Sequence, residues 1–228
     1  MRINRCPWIG LLVGLLLWAV LAWITRREAL GRYSPTGQAE VAAVVLSAGS
    51  VWLAVKNSVW TWPVGIGGTA LYLYLFRDLG LFADAGLQVV YIVLGAVGLV
   101  AWLRRAGTPE QPEVERAGTQ HVVLVLLFVA IGTLATREYL LEVGGSAPLW
   151  DALLTSGSLG AQYLLIRKRI ENWYLWAVVD VGYVALFLTR GIYLSAVLYA
   201  VFLVMVLRAS VEWRWLLAET RLAAREGV

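Results

Sequence analysis

The chain has 228 residues, of which 60% are hydrophobic and only 15% charged, and its formal net charge is +4. A soluble domain carries about 45–50% apolar and about 25% charged residues, so this composition excludes an ordinary water-soluble globule. The positive charge does not point to nucleic acid, because the 19 basic residues are spread over short loops and form no contiguous face. Cys6 is the only cysteine, which excludes an internal disulfide and every cysteine-based metal centre. His121, the single histidine, opens an apolar segment and reads as an interfacial residue rather than a ligand or base. The 12 Trp and 10 Tyr suit rings placed at membrane boundaries or around a ligand.

A membrane-crossing helix needs about 20 mainly apolar residues, and the chain offers eight such stretches. In order they are Pro7–Thr25, Gly37–Val55, Val59–Phe76, Phe82–Leu103, Gln120–Thr136, Pro148–Ile166, Glu171–Thr189 and Gly191–Leu207. Arg2 and Arg5 precede the first, as in a signal peptide, but Arg26 and Arg27 follow it without a small-residue cleavage pattern, so an uncleaved helix is expected. Between the fourth and fifth, Arg104 to Thr119 holds Pro109, Glu110, Pro112 and Glu113, a composition that predicts a solvated linker. The expected organisation is an N-terminal helix and loop over 1–36, a three-helix bundle over 37–105, a linker and connecting helix over 106–147, a second three-helix bundle over 148–214 and a tail over 215–228. With this topology 13 of the 19 basic residues fall on one side. The excess of Lys and Arg predicts that this side, with both termini, is cytoplasmic.

The two halves repeat at an offset of 111 residues. From Trp60 to Leu103 the register needs no gap and holds 11 identities in 44 positions. The informative pairs are Trp62/Trp173, Tyr72/Tyr183, Phe76/Phe187, Gly80/Gly191 and Trp102/Trp213, with Lys56/Arg167 just upstream. Three spans per repeat and one between them make the repeats parallel, with a central crevice suited to a carrier.

The sharpest local signal lies in the seventh span. Trp173, Trp176 and Asp180 fall on one helical face, and Tyr183 and Phe187 continue the stripe. Asp180 is the tenth residue of its span, and an ionisable group at mid-depth costs roughly 2.5–3.5 kcal/mol on insertion scales. It should therefore face protein or a water-filled cavity. Aromatic faces beside a carboxylate suit a cationic or hydroxyl-bearing ligand; the bland alternative is a buried Asp bonded to a neighbouring helix, with tryptophans that only pack. In the matching helix, Trp62 is carried as a candidate beside Pro63, Gly65, Gly67 and Gly68, a stretch whose main expected role is close packing. Gln88 and Tyr91 are deep enough in the fourth span to reach the crevice, and the register matches Gln88 to Tyr199 in the last span. Asp84 is expected to cap its helix, and Asp151 and Gln162 are weaker candidates. No nucleophile–base pair, nucleotide-binding motif, metal-ligand cluster or redox motif is visible, which argues against an enzyme and an ATP-driven pump.

The motif Trp173-x-x-Trp176-x-x-x-Asp180 followed by Thr189-Arg190-Gly191-Ile192-Tyr193-Leu194 resembles the signature of PnuC-type vitamin transporters. So do Asn57-x-x-Trp60-Thr61-Trp62-Pro63-x-Gly65-Ile66, Trp150-Asp151-Ala152-Leu153 and Ile170-Glu171-Asn172-Trp173, and the likeness runs from about Val41 to Trp215. The resemblance implies a three-plus-one-plus-three core similar to the SWEET sugar transporters, here with an extra N-terminal helix. It implies facilitated uptake of nicotinamide riboside, or of thiamine or riboflavin in related branches, with Trp173, Trp176 and Asp180 at the binding site. It also implies a cytoplasmic kinase that traps the cargo. Asp stands where the family frequently has Asn, which a cargo with fixed positive charge tolerates. The sequence-level expectation is thus an all-α polytopic inner-membrane permease for nicotinamide riboside, with Trp173, Trp176, Asp180, Tyr183, Gln88, Tyr91, Tyr199 and Trp62 as substrate-binding candidates. It needs no cofactor, metal or nucleic acid, its partners are the bilayer, a small vitamin or nucleoside and the kinase, and a homo-oligomer stays open. A non-transporting scaffold or enzyme subunit is the remaining reading, and a crevice without polar or aromatic lining would favour it.

Overall fold

The computed structural model describes residues 35–78, 82–106, 114–144, 147–191 and 193–226. The expected span Pro7–Thr25 and Gly80 lie outside them. The described residues form seven helices: α1 (Pro35–Val55), α2 (Thr61–Asp78), α3 (Phe82–Ala106), α4 (Thr119–Glu142), α5 (Pro148–Ile166), α6 (Glu171–Thr189) and α7 (Tyr193–Glu226). The described residues are all-α, as the apolar spans predict, and each helix overlaps one expected span, α4 running past the expected Thr136 to Glu142. Pro148 starts α5, where its missing N–H costs nothing. Gly191 just beyond α6 takes the left-handed conformation (φ +69°) that ends a helix cheaply.

Four of the helices are long and apolar enough to cross a membrane: α3, α4, α6 and α7. The outward sides of α3 and α4 carry exposed Val93, Val97, Leu126, Leu127 and Ile131, a surface that suits lipid rather than water. The expected spans at α2 and α5 form helices but are less apolar, because they spend their residues on contacts with protein. In α5, Ser156, Gly157, Ser158, Gly160 and Ala161 are all buried. A Cβ on Gly68 of α2 would meet Ser47 Oγ at 3.0 Å and Ser47 N at 3.2 Å, so this glycine permits a close crossing with α1.

α1, α2 and α3 pack in sequence, as do α5, α6 and α7; α4 packs on α5. The two groups meet along two seams, α1 with α7 and α3 with α5. Geometry recurs across the 111-residue offset. Trp62 meets Trp102 edge-on at 5.4 Å and 86°, and Trp173 meets Trp213 edge-on at 5.3 Å and 87°. Tyr72 stacks on Phe76 at 5.6 Å, and Tyr183 on Phe187 at 5.7 Å. The turns after α1 and α5 are matched as well, with Asn57 at φ +51° and Lys168 at φ +53°. Each closes by the same bond pair: Asn57 N–H to Ala54 and Ser58 N–H to Leu53, then Lys168 N–H to Leu165 and Arg169 N–H to Leu164, all at 2.9 Å. This is the left-handed helix stop that satisfies carbonyls of the last turn.

Two expectations need correction. The described end of the Arg104–Thr119 linker is docked rather than solvated. Val114 is fully buried, the Glu115 backbone bonds Lys168 and Ile170, and its carboxylate joins Arg105 and Arg169. The hydrophobic cluster at this end accepts Val114 and the guanidinium pair fixes its neighbour, neither of which composition reveals. The eighth span does not end near Leu207, since α7 runs on to Glu226. Its extension is held by burial of Trp213 and Leu217 and by Glu212, which pairs with Lys56 at 3.0 Å and Arg208 at 3.1 Å.

Candidate functional site

A cavity of about 640 Å³ lies between the two groups of helices. It is lined by six of the seven described helices; α4 contributes nothing. The wall is built from helical stripes. α1 supplies Glu40, Val44, Ser47, Val51 and Ala54, and α6 supplies Trp173, Trp176, Asp180, Tyr183 and Phe187. Each stripe covers 15 residues, 14 rises or about 21 Å of helix, so the cavity runs along most of the length of α1 and α6. One end is bordered by Glu40 and Asp84, both exposed. The other ends on buried Trp62, Trp173 and Leu165.

All eight residues expected from sequence line this one cavity: Trp62, Gln88, Tyr91, Trp173, Trp176, Asp180, Tyr183 and Tyr199. Asp180 is 2% exposed. Among the described residues its buried Oδ2 has no hydrogen-bond partner, and neither have the buried Trp62 Nε1 and Trp173 Nε1. The bland alternative, an Asp bonded to a neighbouring helix, predicts a partner at Oδ2. Buried polar atoms are normally paired, so three unsatisfied atoms around one cavity mark it as a place for a polar guest. Away from its mouth the site offers one acceptor carboxylate, two indole donors, the amides of Gln88 and Gln162, and flat ring faces. Tyr183 and Tyr199 lie 4.6 Å apart between centroids, and Tyr199 also meets Phe187 and Phe202. Tyr91 shares a 2.5 Å hydroxyl contact with Ser158, which itself donates to the Thr155 carbonyl at 2.8 Å. This chemistry suits a flat, electron-poor ring with hydroxyl groups attached. The volume falls within the roughly 300–1,000 Å³ common for small-molecule sites.

Asp84 lines the mouth rather than acting only at a helix end. Asp151 lies off the cavity and pairs with Arg190 at 3.5 Å, whereas Gln162 lines it. His121 bonds the Tyr163 hydroxyl at 3.0 Å between α4 and α5, as an interfacial tie. The sequence reading missed Glu40, Ser47, Ser50, Thr69 and Ser158. The repeat register held a signal for two of them, because Ser47 and Ser158 are 111 residues apart. Among the described residues there is no cluster able to hold a metal ion.

A family model described as nicotinamide mononucleotide transporter matches residues 37–215. A nicotinamide riboside transporter PnuC from Neisseria mucosa is 26% identical over 132 residues, covering 55% of this chain and half of that protein. The Escherichia coli protein of that name is 24% identical, over 72% of this chain and 79% of its own length. A riboflavin/roseoflavin transporter, RibM of Streptomyces davaonensis, is 28% identical over 72% of this chain and 78% of its length. The crystal structure of a vitamin B3 transporter PnuC superposes with a TM-score of 0.68 at 20% identity, covering 91% of this chain and 92% of that one. At that identity the likeness concerns the fold.

Proposed function

The chain belongs to the PnuC-type nicotinamide mononucleotide transporter family, and from that premise we propose that it is a facilitative membrane carrier for nicotinamide riboside. The observation that carries the reading is Asp180, a buried carboxylate with an unsatisfied oxygen, on one helical face with two indoles inside a cavity of small-molecule size. A fixed pyridinium stacks on the Trp176 face and meets the Asp180 charge, while ribose hydroxyls engage the amides and tyrosines.

The proposed architecture is one N-terminal helix plus a three-plus-one-plus-three core of parallel repeats, similar to SWEET transporters, with eight spans in all. The matched aromatic pairs and matched helix stops support it. The proposed location is the inner membrane with both termini cytoplasmic, supported by the asymmetry of basic residues. The cycle is alternating access, with the two bundles rocking about the central cavity and a cytoplasmic kinase trapping cargo. The chain is proposed to be no enzyme, since among the described residues no reacting constellation faces the cavity. The polar and aromatic lining is the opposite of what a scaffold needs.

RibM supports a second reading, a riboflavin permease, and the carboxylate leaves thiamine, another fixed cation, as a third. Quenching of intrinsic Trp fluorescence in purified protein, titrated with nicotinamide riboside, thiamine and riboflavin side by side, separates them. Nicotinamide riboside should bind tightest, and Asp180→Asn should weaken either cation severalfold. Saturable riboflavin binding unaffected by Asp180→Asn would transfer the assignment to riboflavin; no quenching by any of the three would sink the carrier reading.

A further inference from the structure

We infer that Trp102 and Trp213 are twin positioning residues of the transport cycle, latching shut the basic end of the path, the Trp62 and Trp173 end where Lys56, Arg167 and Lys168 follow α1 and α5, and tying its opening to the cargo site; the inference rests on the carrier reading above. Neither residue lines the cavity, and they are 2% and 0% exposed. Trp102 Nε1 on α3 donates to the carbonyls of Leu165 and Ile166 on α5, at 3.3 and 3.2 Å. Trp213 Nε1 on α7 donates to the carbonyl of Ala54 on α1, at 3.2 Å. The donors are 111 residues apart, and so are the acceptors Ala54 and Leu165. Each bond crosses from one three-helix group to the other, on each of the two seams where the groups meet.

The acceptors are prepared by the backbone. Ala54 and Leu165 each already accept the amide of the left-handed residue three positions on, Asn57 and Lys168. That turn ends the helix and leaves the second lone pair of the carbonyl for an indole across the seam. Lys168 reinforces one latch by lying 4.3 Å from the centroid of the Trp102 ring. At the other seam Lys56 and Glu212 pair at 3.0 Å.

The latches also touch the site. Trp102 and Trp213 stand 6.3 Å apart, and each meets, edge-on, the indole of the cavity floor in its own group, Trp62 or Trp173. The result is a row of four indoles beneath the cavity. The Trp62 ring is seated against Gly98 of α3, 2.4 Å from where a Cβ there would stand, so it cannot yield on that side. A guest that engages the free N–H of Trp62 or Trp173 therefore presses on the latch residue behind it. Breaking both bonds is what lets the groups part at this end.

The test places one cysteine at Val206, a cavity-lining position, in a Cys6→Ser chain. An impermeant maleimide is applied from either face, using right-side-out and inverted vesicles without cargo. With the latches intact, labelling should come from the face bearing Glu40 and Asp84. Trp102→Phe or Trp213→Phe keeps the ring and deletes the N–H. Each should raise labelling from the basic face roughly three- to tenfold, the effect of losing one ordinary hydrogen bond, and lower labelling from the other face. Glu212→Gln, on a partly exposed pair, should act in the same direction and serves if the Trp variants do not fold. Trp60→Phe, 65% exposed, should change nothing. Folded variants that label as the parent does, or that label faster from both faces alike, would overturn the latch in favour of plain packing. A shift in labelling in a protein that binds none of the three vitamins would keep the latch and remove the cargo assignment.

Discussion

Asp180 concentrates the chemistry of the site. A carboxylate midway along a membrane span costs roughly 2.5–3.5 kcal/mol, and in a purely structural role a bond to a neighbour would recover much of it, yet among the described residues Oδ2 has no partner. The consequence has a sign. Asp180→Asn should leave the melting temperature of the cargo-free protein unchanged or raised, while weakening cargo binding; a drop of several degrees would restore the structural reading. Trp176→Ala and Asp180→Ala should each lower cargo affinity at least about tenfold, equivalent to ~1.4 kcal/mol, in protein that still elutes as a single folded species. Unchanged affinity in both variants removes these residues from the site. Trp173, Trp176 and Asp180 were legible in the sequence because a charge in an apolar span is rare and two indoles three residues apart, with the carboxylate four further on, define a face. Glu40, Ser47 and Thr69 were not. Small polar residues in a helix serve packing as readily as lining, and only the facing wall tells which; Thr69 spends its hydroxyl on the Gly65 carbonyl at 2.8 Å.

Helices were legible wherever local chemistry ends them. Pro148, Gly191 and the apolar run of Glu171–Thr189 reproduce α5 and α6 to the residue. Where the reading failed, the cause is tertiary. Hydropathy falls at Arg208, Glu212 and Arg214, so α7 looked finished near Leu207, but Glu212 pairs across the seam with Lys56 and along the helix with Arg208, Arg214 bonds Ser210 one turn back, and the helix continues. The linker looked solvated because Pro and Glu dominate it, while its end is pinned by one carboxylate. Glu115 joins two guanidiniums, and Ala117 N–H donates to Glu171 Oε2 at 2.7 Å beside it. Glu115→Ala would leave Arg105 and Arg169, both mostly shielded, without this partner. It should cost about 1–3 kcal/mol and lower the melting temperature in detergent, with the loss shrinking in Glu115→Gln. Equal stability of Glu115→Ala and the parent would return the segment to the status of a loose linker.

At the scale of the whole molecule the repeat is the argument. Matched indole pairs, helix stops and cross-seam bonds make the two groups equivalent at the basic end, while the lining departs from symmetry at Trp176 and Asp180, whose mates are Gly65 and Thr69. At these two positions the second half supplies an indole and a carboxylate where the first leaves room. Reporter fusions at Val228 and within the Arg104–Thr119 linker should both read as cytoplasmic; an external signal from either would break the parallel-repeat topology. The same arrangement bears on energetics. Accumulation against a gradient needs a nucleotide motor or a coupled ion. The sequence holds no nucleotide motif, and among the described residues Asp180 is the only carboxylate in the deep part of the cavity wall, with Glu40 and Asp84 at the exposed mouth. A carboxylate that neutralises a cationic cargo is occupied by it and cannot serve as an independent proton relay in the same half-cycle. The expected behaviour is therefore equilibration. In proteoliposomes with symmetric salt and no kinase, labelled nicotinamide riboside should reach equal concentrations inside and out and stop. An imposed proton or sodium gradient should not move that endpoint, whereas an enclosed kinase with ATP should convert equilibration into net accumulation of phosphorylated product. Uphill accumulation driven by either ion gradient would overturn the facilitative cycle and recast Asp180 as a coupling residue.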